Sequence, residues 1–166
     1  AVTFVIIYGI GDYSLSQDLK IPKKVAAEYI KSYLAKYGGV SEYLKSTKAF
    51  ARENGYVDTI FGRRRYIPEI NATNKNLQAF GERVAMNTPI QGAAADLIKI
   101  AMIRTDKMLR EAGLKARLIL QIHDELIIES PIEEAEKAEA ILREAMQGAA
   151  DLKVPLQVDI GVGKSG

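Results

Sequence analysis

The segment Arg117–Ser130, RLILQIHDELIIES, does most to determine how the chain is expected to fold. Apolar, strand-like stretches lie on both sides of His123 and Asp124. Polar residues inside an apolar run are costly unless they face water or bind a partner, because burial of an unpaired charge is unfavourable. The segment therefore predicts a β-hairpin with His123, Asp124 and Glu125 at its tip.

Outside this segment the sequence is mostly of helical periodicity. Gly38 and Gly39 are expected to end one helix, and Pro89 to separate two long ones. Ser130 as N-cap, followed by Pro131 and by Glu133 as capping-box partner, is expected to start the last helix. Helices are thus expected over 1–9, 14–19, 21–37, 40–54, 74–91, 92–112 and 130–146, with a hairpin around Gly62 and a final strand over 155–163. The pattern predicts an α+β fold, mostly helices followed by a small antiparallel sheet.

The overall composition limits the class of protein to which the chain can belong. The chain has 166 residues, of which 48% are apolar and 27% charged, so it can form one folded domain or a substantial piece of a larger one. A formal net charge of +2 is too small to predict nucleic-acid binding by itself. The absence of cysteine excludes disulfides and thiolate metal sites. The apolar start, AVTFVIIYGI, is too short to span a membrane and is expected to be the middle of an element in a fragment of a longer protein.

The predicted tip at Asp124 and Glu125 could bind a metal ion. Adjacent carboxylates at the edge of a sheet can supply oxygen ligands to a hard cation such as Mg²⁺. Two such ions can stabilise an in-line phosphoryl displacement, but that site needs a further carboxylate from elsewhere. The alternative is an ordinary solvent-facing turn.

Cationic residues cluster at the other predicted hairpin. Arg63, Arg64 and Arg65 follow one another in FGRRRY, and the planar guanidinium group binds phosphate through two hydrogen bonds at once. The alternative is a solvated turn, which is the commoner reason for a run of charge.

Two further spacings suggest contacts with a nucleic acid. Arg83, Asn87 and Gln91 share one helical face, from which long polar side chains can reach groove edges or sugar oxygens of a duplex. Phe4 and Tyr8, four residues apart, could stack on a base or a sugar. The alternatives are the polar face of an amphipathic helix for the first set and core packing for the second.

In this order the motifs resemble a known family. NTPIQGAAADLIKIAM followed by QIHDELIIE is strongly similar to the C-terminal part of family A DNA polymerases, of the bacterial DNA polymerase I type. GYVDTIFGRRRYIPEI upstream and PLQVDIGVGKS at the end fit in the same register, so the resemblance covers essentially the whole chain. It implies a helical fingers portion over residues 1–73, and a palm portion with long helices and a small antiparallel sheet over residues 74–166.

The resemblance also implies roles for individual residues. Asp124 matches the carboxylate that binds the catalytic Mg²⁺ ions, Glu125 is its auxiliary neighbour, and His123 contacts the primer end. Phe4 lies beside the sugar of the incoming nucleotide, and Tyr8 stacks near the templating base. Arg83, Asn87 and Gln91 match residues that touch primer–template DNA. Arg63, Arg64 and Arg65 are also expected to bind DNA, because of their clustered positive charge.

Some features of the family are missing from this sequence. The Arg and Lys that hold the triphosphate precede Phe4 in the family, and the strand with the other catalytic carboxylate is absent. Val5 stands where the family usually has glycine. The resemblance therefore implies a two-metal site that is incomplete in this chain, which by itself is expected to be inactive.

The implied function is template-directed DNA synthesis, the transfer of a nucleotide to a primer 3′-hydroxyl. The implied partners are primer–template DNA, deoxynucleoside triphosphates and the remainder of the polymerase, at the nucleoid in the cytoplasm and without a membrane. One alternative is a non-catalytic palm–fingers module that binds duplex DNA weakly. Another is a metal-dependent nuclease that uses the same Asp-Glu edge, although no further acidic cluster is visible in the sequence.

Overall fold

A computed structural model describes residues 11–164 of the chain. The chain divides into two compact units between Ala93 and Ala94. The helix expected over residues 1–9 lies outside the described residues, as do Phe4 and Tyr8. In order, the elements are α1 (Asp12–Leu19), α2 (Lys23–Lys36), α3 (Gly38–Asn54), β1 (Tyr56–Asp58), β2 (Arg64–Tyr66), a 3₁₀ turn (Pro68–Asn71), α4 (Lys75–Glu111), β3 (Arg117–Ile122), β4 (Glu125–Glu129), a second 3₁₀ turn (Ile132–Glu134) and α5 (Ala135–Gln147).

The first unit contains the predicted hairpin, packed under helices. Strands β1 and β2 pair antiparallel, with Tyr56 opposite Tyr66 and Asp58 opposite Arg64. A small core joins this hairpin to α3 and α4; it consists of Ala51, Val57, Ile67, Ile70 and Ala85. Burial of these apolar side chains fixes the hairpin against the helices.

The Gly38-Gly39 pair does not end a helix, as the sequence suggested, but begins one. Helix α2 ends at Lys36, Tyr37 alone links it to α3, and α3 starts at Gly38. Glycine commonly ends a helix where the backbone turns into the left-handed region, as it does at Gly55, where φ is 76° after the last residue of α3. The predicted end of this helix at residue 54 is confirmed.

Pro89 does not divide the long helical region. Helix α4 runs from Lys75 to Glu111 with Pro89 inside it, so the predicted separation into two helices is wrong. A proline removes one backbone donor and disturbs the turn before it. Helix α4 packs into a core on each side of Pro89, through Ala85 in one cluster and Ala101 in another, and this packing offsets part of the local cost.

The second unit is built around the hairpin of β3 and β4. Its register pairs Arg117 with Glu129 and Ile122 with Glu125, with an irregularity between Leu118 and Leu120. The hairpin predicted from the sequence is therefore confirmed. Its inner face packs on helices α4 and α5 through a cluster of buried residues: Ala101, Leu126, Leu142 and Ala149.

The start of α5 differs from the predicted capping box. The hydroxyl of Ser130 donates to the carbonyl oxygen of Pro131, at 2.9 Å, and no side-chain cap bond is formed at the start of either the 3₁₀ turn or the helix. A 3₁₀ turn from Ile132 to Glu134 intervenes before α5. The Glu134 carboxylate instead accepts hydrogen bonds from the backbone N–H groups of residues 115 and 116, at 2.8 and 3.0 Å.

The final strand expected over 155–163 is not formed in the described part of the chain. This segment has no regular secondary structure, because a strand requires a hydrogen-bonded neighbour and the sheet of this unit consists of β3 and β4 alone. The segment is held by side chains instead. Arg143 donates to the carbonyl oxygen of Val158 at 2.9 Å, and Ile160 packs against the cluster around Leu126.

The α+β class is confirmed, with helices and two small antiparallel sheets. The division into a fingers portion over 1–73 and a palm portion over 74–166 stays a prediction; the compact units meet elsewhere, within α4. Within residues 11–164, none of the helices combines the length and apolar character needed to cross a bilayer.

Candidate nucleic-acid groove and carboxylate turn

The turn between β1 and β2 is organised by Thr59. Its hydroxyl oxygen accepts hydrogen bonds from the backbone N–H groups of Phe61, at 3.3 Å, and Arg63, at 3.2 Å. The Thr59 methyl group lies against Gly92 of α4, so close that a Cβ atom added at Gly92 would be 2.6 Å from it. A glycine at this point of α4 therefore lets the turn, with its arginines, approach the helix closely.

The side chain of Arg64 makes its contacts within the hairpin. Its guanidinium group donates two hydrogen bonds to the Asp58 carboxylate, at 2.9 and 3.1 Å, and lies 3.6 Å from the centre of the Tyr56 ring. The hydrogen bond from Arg64 lowers the pKa of Asp58, and the same bond raises the pKa of Arg64. A bidentate pair of this kind has a defined geometry, so Arg64 braces β2 against β1.

Arg65 lies on the opposite face of β2, toward α4. Side chains alternate along a strand, and Arg65 is the register partner of the buried Val57. Its guanidinium group donates to the hydroxyl of Thr88 on α4, at 3.4 Å. Arg65 is therefore directed toward α4, the helix on which Arg83, Asn87 and Gln91 were predicted to share a face.

Arg65 and α4 form the walls of a groove of about 390 Å³. The Arg83 guanidinium lies 6.0 Å from the centre of the Phe80 ring, which supports it on one side. Arg83 and Gln91 are exposed and Asn87 is half-buried. The lining residues are Arg65, Phe80, Arg83, Val84, Asn87, Thr88 and Gln91. The groove therefore presents guanidinium and amide groups above an apolar base.

The tip of the second hairpin is a tight turn in which His123 has a φ of 52°. Left-handed backbone is uncommon for residues other than glycine, although histidine adopts it more readily than most. The Gln121 side-chain amide donates to the His123 carbonyl oxygen and so stabilises the turn. His123, Asp124 and Glu125 are all exposed. The adjacent carboxylates consequently face solvent rather than the core.

The oxygen atoms of Asp124 and Glu125 are of the type that hard divalent cations prefer. Within residues 11–164, no group of three or more histidine, aspartate or glutamate side chains is placed to hold a metal ion. The carboxylate turn therefore fits as part of a cation site and requires ligands in addition to those it contains.

The structure brings together four of the residues selected from the sequence: Arg65, Arg83, Asn87 and Gln91. It places Arg64 in an ion pair with Asp58, which was not predicted from the sequence. Four supporting residues were not predicted either: Tyr56, Asp58, Phe80 and Thr88. Phe80 could have been found from its spacing of three residues before Arg83. The partner of Arg64 could have been found from the hairpin register, which sets Asp58 opposite it.

The fold and its two polar sites define an α+β protein with a basic groove and an acidic turn. The family model for DNA polymerase family A matches residues 1–165. The chain therefore belongs to DNA polymerase family A.

Individual relatives agree with this membership. The chain is 52% identical over 163 residues to DNA polymerase I of Caldicellulosiruptor bescii, which covers 98% of the chain and 19% of that protein. It is 52% identical over 165 residues to DNA polymerase I of Bacillus subtilis, covering 99% of the chain and 19% of that protein. For DNA polymerase I of Mycobacterium tuberculosis the identity is 47% over 165 residues, covering 99% of the chain and 18% of that protein. The chain thus spans about a fifth of the length of these relatives.

A solved structure supports the same conclusion. The chain is similar to the POL domain of Pol1 from M. smegmatis, which was determined in complex with DNA primer-template and dNTP. The TM-score is 0.90 with 42% sequence identity, over 93% of this chain and 27% of that one.

Proposed function

We propose that the chain supplies a duplex-binding groove and a metal-binding carboxylate to template-directed DNA synthesis. In this reaction the 3′-hydroxyl of a primer attacks the α-phosphate of a deoxynucleoside triphosphate, and pyrophosphate leaves. The observation that carries the proposal is the groove, in which Arg65 from the hairpin and Arg83, Asn87 and Gln91 from α4 line one cavity. Membership of DNA polymerase family A supports the same function.

The groove would bind primer–template DNA by two kinds of contact. Arg65 and Arg83 are cations that suit backbone phosphates, whereas the amides of Asn87 and Gln91 suit groove edges and sugar oxygens. Arg63, close to the same turn, adds a further positive charge. Arg64 acts indirectly in this arrangement, because its bonds to Asp58 fix the strand that carries Arg65.

The carboxylate turn would hold the catalytic metal, which we infer to be Mg²⁺. Asp124 is the direct ligand, Glu125 is its auxiliary neighbour, and His123 contacts the primer end at the same exposed tip. Bound Mg²⁺ would stabilise the charge that develops on the phosphoryl oxygens. The turn contributes two exposed carboxylates at the tip of a hairpin that is anchored in the core by the buried Leu126. Further ligands must come from other parts of the polymerase.

Membership of DNA polymerase family A supports two further contacts. Phe4 would lie beside the sugar of the incoming nucleotide and Tyr8 near the templating base. The rest of the polymerase is then the protein partner of this chain, and the site of action is the nucleoid in the cytoplasm.

The isolated chain would bind duplex DNA without extending a primer. This property, which corresponds to the non-catalytic module considered above, is favoured by the incomplete set of metal ligands within residues 11–164. Few phosphate contacts remain available to it, so its affinity should be low and binding should be lost at moderate salt.

A primer-extension assay with template, four nucleotides and Mg²⁺ tests the catalytic part of the proposal. The isolated chain should give no product, and a longer protein that adds the upstream family residues should extend the primer. Extension by the isolated chain would show that the missing ligands lie within it. Strand cleavage in place of extension would instead support the metal-dependent nuclease.

Fluorescence anisotropy with a labelled primer–template duplex tests the groove. The slope of log K against log salt should become shallower by about one for Arg65→Met, because each phosphate contact contributes about 0.9 to that slope. Lys31→Met is the matched control, since Lys31 is exposed on α2 and lines neither the groove nor its surroundings. Equal slopes for both variants would remove Arg65 from the interface.

A further inference from the structure

A second cavity in the first unit is not used by the proposed reaction. It has a volume of about 350 Å³ and lies among helices α2, α3 and α4. Its floor is apolar and includes Leu34, Leu44 and Met86, while Lys45, Lys48 and Arg83 lie at its rim. Cavities of about 300–1,000 Å³ with apolar walls and a few polar groups are typical of small-molecule sites.

The charge at the rim of this cavity is positive. Glu82 is the carboxylate of the lining, and two cations already neutralise it: Lys48 at 3.7 Å, and Arg52 in a direct hydrogen bond. Among the described residues, Lys45 and Arg83 form no ion pair with a carboxylate. An anionic group at the rim would therefore meet two cations whose charge is not yet balanced.

The wall between α3 and α4 is held by a specific bond. The hydroxyl of Tyr43 donates to the backbone carbonyl oxygen of Met86, at 3.2 Å. Burial raises the pKa of Tyr43, so the hydroxyl remains protonated and able to donate near neutral pH. This bond ties α3 to α4 directly beside Met86, and the cavity is thus formed by elements that are already joined.

Arg83 lines both the apolar cavity and the duplex groove. We propose that the apolar cavity binds an amphipathic anion, an aromatic or aliphatic body with one carboxylate, sulfonate or phosphate group, and that this ligand competes with duplex DNA for Arg83. The cavity stands on its own geometry, whereas the competition rests on the proposed function of the groove.

The fluorescent anion 8-anilinonaphthalene-1-sulfonate has the required chemistry and serves as the probe. Its affinity for the 166-residue chain is measured by titration. Ala79→Trp places a large ring at an exposed position of the cavity wall and should weaken binding by about tenfold or more, a loss of about 1.4 kcal/mol. Lys45→Glu should weaken binding severalfold, and Lys31→Glu, outside the lining, should leave it unchanged.

Equal affinities for the wild-type chain and the Ala79→Trp variant would overturn the cavity as the binding site. They would show that the probe binds scattered apolar surface, as it does in loosely packed proteins. If Lys45→Glu and Lys31→Glu weakened binding equally, the role of the rim would be overturned while the apolar site remained.

Competition is measured by titrating duplex DNA in the presence and absence of saturating probe. Linkage requires that the probe weakens DNA binding by the same factor as DNA weakens probe binding. The Arg83→Met variant should abolish this mutual effect while retaining the apolar part of probe binding. Independent binding of probe and DNA would overturn the competition. A chain that binds no DNA at all would contradict the proposed function, and the Ala79→Trp comparison would still decide the cavity.

Discussion

Replacement of Gly92 by alanine tests how the arginine-bearing turn is held against helix α4. The new Cβ atom would lie 2.6 Å from the Thr59 methyl carbon, whereas carbon atoms in contact are ordinarily about 3.5–4.0 Å apart. The turn or the helix must therefore move by about 1 Å. Insertion of a methyl group into such a contact typically costs about 1–3 kcal/mol.

The higher helix propensity of alanine opposes this steric cost. Alanine is favoured over glycine inside a helix by about 1 kcal/mol, so Gly92→Ala alone should lower the free energy of unfolding by about 0–2 kcal/mol. Thr59→Ser removes the clashing methyl carbon but retains the hydroxyl that accepts hydrogen bonds from residues 61 and 63. In the Thr59→Ser background, Gly92→Ala should therefore be neutral or stabilising. The coupling energy between the two sites should be about 1–3 kcal/mol.

Urea unfolding of the wild type, both single variants and the double variant gives this coupling energy directly. Gly39→Ala is the matched control, because nothing lies within 4 Å of a Cβ atom added at this helical position; it should not destabilise the chain. Duplex affinity should fall in the Gly92→Ala variant and recover in the double variant, since Arg63 and Arg65 move with the turn. If Gly92→Ala had the same effect in both backgrounds, within about 0.5 kcal/mol, the steric argument would be refuted.

Three further outcomes are expected. In a complete polymerase that contains this chain, Asp124→Asn should abolish primer extension and leave duplex binding largely intact, and persistent extension would contradict the metal assignment. Leu126→Ala should lower the free energy of unfolding by about 2–3 kcal/mol in a urea melt, because Leu126 is 9% exposed within its cluster; the same change at Ile122, which is 43% exposed, should cost less. The folded-state pKa of Asp58 is lowered by Arg64, so the stabilisation from this pair is present above the unfolded pKa of about 4 and is lost as the pH falls through the lower folded value. Asp58→Asn should remove this part of the acid dependence, and an unchanged acid profile would mean that the pair contributes nothing measurable.

Local sequence patterns determined the parts of the fold that depend on neighbouring residues. The hairpin around His123 and Asp124 is specified by two apolar stretches separated by a two-residue polar turn, and pairing of adjacent segments requires no distant partner. The end of α3 at Gly55 is equally local, because a left-handed residue suffices to end the helix. The family, too, was recognisable from motif order alone.

The predictions that the structure contradicts concern where an element begins or ends and what it pairs with. Pro89 looks like a boundary in the sequence, but α4 continues through it and packs into a core on each side. Serine is favoured at a helix N-cap, yet the Ser130 hydroxyl donates its hydrogen bond to the carbonyl oxygen of Pro131 and does not cap α5. Residues 155–163 have a strand-like composition but lack a neighbouring strand, since β-structure is completed only by a partner that the local sequence does not specify.

In the candidate site, too, some features were predicted from the sequence and others are visible only in the structure. The sequence identified Arg63, Arg64 and Arg65 as one cationic run and Arg83, Asn87 and Gln91 as one helical face. The strand separates the arginines, because side chains alternate along it: Arg64 bonds Asp58 on one face, and Arg65 reaches Thr88 of α4 on the other. The groove exists because Gly92 allows the Thr59 turn to lie against α4, a close approach between residues 33 positions apart that no local pattern encodes.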